Sequence, residues 1–150
     1  MKAAEFWTLL ICGFSLAHVS AADCPDARRT GEKYVRHHSV KVIGDEGLHE
    51  MDDNLAILKA PNGDICFALD TWGMNGHECN VDGKLKKLSS NRLAFDENGE
   101  CALTFDSDGD ELALTASKAW ARVGAGGACP KDYCGQLGSV ESGKFLRAPK

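Results

Sequence analysis

The chain has 150 residues, a formal net charge of −5, 43% hydrophobic residues and seven cysteines. A chain of this length suits one domain with a modest core, and no repeat of solenoid length points to an array. The acidic balance argues against a nucleic-acid binder, which presents a basic face, and suits a basic protein partner.

Lys2, an apolar run from Phe6 to Leu16 and the small residues Ser20-Ala21-Ala22 read as a secretory signal peptide cleaved after Ala22, or after Ala21. The run is shorter than the roughly 20 residues of a membrane-spanning helix. Asp23, standing before Cys24, breaks the lipoprotein pattern. We therefore expect a leader at 1–22 and a single disulfide-stabilised β domain at 23–150, secreted or periplasmic, without a membrane span. Loss of Lys2 and Glu5 with the leader leaves the net charge unchanged.

Cys12 departs with the leader, and Cys24, Cys66, Cys79, Cys101, Cys129 and Cys134 stay. An even count in an exported chain argues for disulfides. The C-x-x-C spacing of a zinc site is absent. Spacing alone does not fix the pairing; we expect Cys24–Cys66 to tie down an N-terminal arm, Cys79–Cys101 to cross the fold and Cys129–Cys134 to form a local clip.

In chain order, Ala27 to Lys33 reads as an irregular polar arm pinned by Cys24. Tyr34 to Ile43 reads as a strand, with Val40 and Val42 on one face and Ser39 and Lys41 on the other. Gly44 to Asp53 reads as a solvated acidic loop. Pro61-Asn62-Gly63-Asp64 between two apolar runs predicts a hairpin. Centred on Asn62-Gly63, it pairs Ala60 with Ile65, Leu58 with Phe67 and Ala56 with Leu69, all facing the core, and puts Cys66 on the opposite face beside Ile57.

The stretch from Asp70 to Cys79 holds two glycines, Trp72 and His77 and reads as a corner between strands, with Trp72 over an open end of the core. Cys79 to Val81 reads as a short strand and Lys84 to Leu88 as a charged sheet edge. Further on, Leu93, Phe95, Cys101, Leu103, Phe105, Leu112 and Leu114 alternate with polar or small residues, which is strand periodicity. A three-residue loop with Gly99 in the left-handed position places Phe95 opposite Cys101, and a turn at Asp108-Gly109 places Phe105 opposite Leu112. Lys118 to Val123 reads as a strand or a helical turn, followed by a glycine-rich connector at 124–128. Short strands separated by Gly, Asn and Asp turns predict an all-β fold, a small antiparallel barrel or sandwich stapled by disulfides.

Little in the chain spells out chemistry, and no cofactor or metal is expected. Asp106 to Asp110 resembles the start of a calcium loop, but Glu111 and Ser117 stand where an EF-hand needs glycine and glutamate. His37 and His38 are neighbours, so in a strand they point to opposite faces. His77, with Glu78 and Asp70 nearby, is the best acid/base grouping and supports a secondary reading, a small secreted hydrolase. No nucleophile elbow accompanies it. A third reading is a structural, envelope-associated domain.

Asn75-Gly76-His77-Glu78-Cys79, Cys101-Ala102-Leu103-Thr104-Phe105 and Tyr133-Cys134-Gly135 together resemble exported bacterial proteins near the periplasmic lysozyme-inhibitor families, over roughly residues 66–140. The resemblance implies a compact antiparallel barrel that binds a hydrolase and blocks its cleft with a protruding loop. It implies a role for Ser142-Gly143-Lys144-Phe145, the local match to the inhibitors' serine and basic residue ahead of an aromatic. The expected partner-binding residues are Ser142, Lys144 and His77, and the expected partner is a basic, lysozyme-like protein.

Overall fold

Alternation of large apolar with polar or small side chains gives each strand one face for a core and one for water. A computed structural model describes residues 24–42, 44–73, 76–97, 101–117, 134 and 140–149. After a short helix, α1 (Ala27–Thr30), come β1 (Glu32–Lys41), β2 (Leu48–Lys59), β3 (Ile65–Trp72), β4 (Glu78–Lys87), β5 (Arg92–Glu97), β6 (Cys101–Asp108), β7 (Glu111–Ser117) and β8 (Gly143–Arg147). All neighbours are antiparallel, and β8 returns to β1, closing a barrel in chain order. The predicted all-β, disulfide-stapled class is thereby realised as a barrel, which leaves no open sheet edge.

The interior is filled by side chains. Phe67, Phe105, Phe145, Leu55, Leu69 and Leu103 are fully buried. The Phe67 ring meets Phe95 at 5.0 Å and Phe105 at 5.3 Å between centroids, in tilted and edge geometries that add to simple burial. A smaller cluster lies outside the sheet, where Ala27 of α1 covers Ala56 and Ala68 with Leu58 alongside. Three alanines there let the helix approach closely. Asp26 caps α1 by accepting from the Arg28 N–H at 3.0 Å. The predicted Cys24–Cys66 disulfide and an Arg28–Asp70 ion pair hold the arm down.

Several registers differ from expectation. Lys59 pairs with Ile65, Ile57 with Phe67 and Leu55 with Leu69, one residue away from the predicted set. The cause is Pro61, whose fixed φ suits the first corner of a type I turn. Ala60 therefore accepts from the Gly63 N–H at 2.9 Å, with Gly63 at φ +88, and the loop has three residues rather than two. Ala56 and Leu58 consequently face outward under α1, and Cys66 lies opposite Leu58 rather than beside Ile57. Phe105 pairs with Leu114 instead of Leu112, because the turn is Gly109-Asp110, with Gly109 at φ +62. Phe95 pairs with Leu103 and Cys101 with Glu97. These two shifts are by two residues, so the inward sets survive.

Two segments have a different character from the one expected. Residues 48–53, read as acidic loop, form the first half of β2, and Lys84 to Lys87 lie within β4, bonded to β3 and then β5 rather than exposed as an edge. Cys79 bonds to Cys134, and Cys101 is itself disulfide-bonded. The expected Cys79–Cys101 and Cys129–Cys134 pairs are thus both replaced. Cys79 and Cys134 stand 55 residues apart in sequence, and a partner that distant is set by where the chain returns, which local spacing does not encode. Cys129, the leader, Lys118 to Val123 and the glycine-rich connector lie outside the described residues.

The up-and-down order puts alternate turns at opposite ends. The β1–β2 and β3–β4 connections and the entry to β8 share one end, called here the hairpin end. The β2–β3, β4–β5 and β6–β7 turns share the other, called the mouth.

Candidate functional site

At the hairpin end β1 and β2 outrun their neighbours. Beyond the Val35–Asn54 rung they pair with each other from Arg36–Asp53 to Lys41–Leu48, while β3 and β8 have stopped pairing with them. At about 3.3 Å per residue this two-stranded extension is roughly 17 Å long, with its inner face lying against the β3–β4 corner.

Its inner face is anchored by one carboxylate. Asp53 has no exposed surface. Its Oδ2 accepts from Arg36 Nε at 2.7 Å, and Arg36 adds an ion pair from its terminal nitrogen. Its Oδ1 accepts from His38 Nε2 at 3.0 Å and from the Trp72 backbone N–H at 2.7 Å. A buried charge is tolerable only when paired and hydrogen-bonded in this way. Arg36 also donates to the carbonyls of Glu141 and Ser142 and lies 5.2 Å over the Phe145 ring. Gly143 makes room for it, since a Cβ there would stand 2.1 Å from the guanidinium. Next along the same face, Val40 is buried, and Val42 approaches the β3–β4 corner at Gly76.

The outer face is open and carries more acid than base, with exposed Lys41 directly across from Leu48. Leu48 is 69% exposed, beside exposed Glu50 and Asp52, with Asp45 and Glu46 in the turn. Ser39 donates to Glu50 at 2.6 Å, and His37 pairs with Asp52. The Gly47 N–H and then the His49 ring hold the Asp45 carboxyl below its usual range, which favours its negative charge.

The residues singled out from sequence do not form one group. Ser142 is at the hairpin end, where its hydroxyl accepts from the Ala116 N–H at 2.9 Å just before β8. Ser142 to Phe145 therefore runs into a barrel strand and does not protrude. Lys144 points along the wall to Glu111 at 2.7 Å, which raises its pKa, and Phe145 is fully buried. His77 is half-buried in the β3–β4 corner, where its carbonyl accepts from the Gly73 N–H. Asp70, one of its expected carboxylate partners, is engaged by Arg28 through three hydrogen bonds of 2.7 to 3.1 Å. Among the described residues no cluster of His, Cys, Asp or Glu is arranged to hold a metal ion, and no helix is long and apolar enough to cross a membrane.

Sequence reasoning missed the Arg36–His38–Asp53 node. Arg36, His38 and Val40 do recur with period two, but Asp53 sits in an acidic run that reads as solvated until it is paired with them. The molecule is thus a closed up-and-down β-barrel with an acidic hairpin projecting from one end. Comparison of the chain with protein-family models, curated proteins and solved structures finds no match.

Proposed function

We propose that this chain is an exported protein-binding module that docks on a basic partner through the outer face of the β1–β2 hairpin. In its most concrete form it is lysozyme-inhibitor-like, with the hairpin occluding a hydrolase cleft. The observation that carries this reading is the projection itself, which presents exposed Leu48 among the carboxylates of Asp45, Glu46, Glu50 and Asp52.

An apolar anchor ringed by charge is the layout of a binding hot spot. The acidic field steers a cationic partner, and the Asp53 node with two-stranded pairing pre-organises the projection, so little entropy is lost on docking. Disulfides fit the oxidising space outside the cell. In this reading the hairpin takes the blocking role, while Ser142 and Lys144 serve the barrel wall.

A panel of lysozymes mixed with the oxidised protein tests it, with size-exclusion chromatography for complexes and cell-wall lysis for activity. At least one lysozyme is expected to form a complex and lose activity, with affinity falling as salt rises. No complex and no inhibition across the panel would sink the reading.

A further inference from the structure

The opposite end of the barrel carries a groove that the hairpin reading does not use. It has a volume of about 530 Å³ and is bounded by the β2–β3 turn, the β4–β5 turn and the end of β6. That size falls within the roughly 300–1,000 Å³ of small-molecule sites.

Strand pairing decides what faces into it. Ile65 pairs with Leu85, and both belong to or pack against the interior core. Lys59 lies directly opposite Ile65, and Lys87 directly opposite Leu93, which also packs on the core. Residues opposite each other in adjacent strands share a face, so Lys59 and Lys87 stand on the inner face of the barrel rim. They flank an apolar floor of Ile65, Leu85 and Leu93.

Other charged groups at the mouth are paired with one another. Arg147 pairs with Glu32 and, at 2.9 Å, with Asp110, and lies 5.5 Å over the Tyr34 ring. Asp64, on the groove wall, is engaged by Lys84 at 2.7 Å. Neither Lys59 nor Lys87 forms an ion pair with any described residue. Two ammonium groups without counter-charge among the described residues, over an apolar floor in which Ile65 and Leu93 are partly exposed and Leu85 is buried, mark a local reversal of charge in a protein that is acidic overall.

The geometry points to a binding site for a free aliphatic carboxylate of medium chain length, its head between Lys59 and Lys87 and its chain on Ile65, Leu85 and Leu93. The floor excludes a purely ionic ligand as the best fit, because an inorganic anion leaves the apolar surface wet. The lysines select the acid over the alcohol of the same chain.

Titration of the intact, oxidised protein with decanoate, followed by NMR, tests this, with decanol, inorganic phosphate and phosphatidylglycerol vesicles as parallel probes. Saturable one-to-one decanoate binding is expected, with shifts at Ile65 and Leu93. Decanol and phosphate should bind at least tenfold more weakly. The double variant Lys59→Ala/Lys87→Ala, which changes only exposed side chains, should lose at least tenfold in decanoate affinity with an unchanged melting temperature. Absent decanoate binding, undiminished binding by the double variant, equal affinity for decanol or phosphate, or binding to vesicles alone would each overturn the site.

Discussion

Asp53 shows how a single side chain ties a projecting element to a barrel. Its two oxygens accept from Arg36, His38 and the Trp72 backbone, which nearly exhausts their capacity. Asp53→Ala strands the Arg36 charge, itself only 13% exposed, and leaves a backbone donor unpaired. Breaking a buried pair from one side costs about 3–5 kcal/mol, so the urea midpoint should fall by that equivalent with little change in slope. A loss well below 1 kcal/mol would mean that the node does not anchor the hairpin. The node was illegible in the sequence because consecutive aspartates have poor strand propensity, and tertiary pairing with Arg36 and His38 overrides it.

At the same scale, Asp64 supplies a pH dependence. Its carboxyl is held below the usual range, first by the hydrogen bond from Lys84. A depressed folded-state value means that the contribution is present above the unfolded carboxylate value of about 3.9 and is lost as pH falls through the folded one. Asp64→Asn should therefore be less stable than the parent at pH 7, with the difference closing below about pH 4. A difference that persists undiminished at pH 2 would contradict the pairing.

Among the elements, what could be read from sequence was the alternation and the position of each hairpin. Leu103, Phe105, Leu112 and Leu114 all face inward as their period demands. What could not be read was register, because one proline converts a two-residue turn into a three-residue one and slides the β2–β3 pairing by a residue. That slide moves Ala56 and Leu58 to the outer face, where they make the seat for α1.

The Cys24–Cys66 bond then holds the arm against that seat. It was predictable because Cys66 lies on the face away from the core, within reach of an N-terminal arm. The bond closes a span of 42 residues, for which the chain-entropy argument gives about 4 kcal/mol. Cys24→Ala/Cys66→Ala should lose stability of that order in urea. Amides around Ala56 and Ala68 should then exchange faster, with those of β6 and β7 the least affected. Uniform loss of protection would mean that the arm is part of the barrel's folding unit and not a clasp on it.

For the molecule as a whole, composition foretold a disulfide-stapled β domain, and closure settled the choice between barrel and sandwich. The candidate site was less legible. Attention in the sequence falls on His77 and on Ser142 to Phe145, yet the barrel uses the first in a corner and the second in its closing strand. Projection belongs to the stretch that reads as a loop. The overall charge of −5 is distributed unevenly, with acid concentrated on the hairpin and, at the mouth, two lysines that pair with no described residue. In the proposed reading one end takes a cationic protein and the other a small anion.

The measurement that bears most directly on this account is the affinity of the hairpin variant Leu48→Ser/Glu50→Lys/Asp52→Lys for a lysozyme that the parent protein binds, measured by calorimetry at low and physiological salt. These residues lie on the outer face, so the melting temperature should stay within a few degrees of the parent's. The account predicts at least a hundredfold loss of affinity, about 2.8 kcal/mol at 1.4 kcal/mol per decade, together with loss of the salt dependence. Parent-like affinity in a folded variant would show that the partner docks elsewhere.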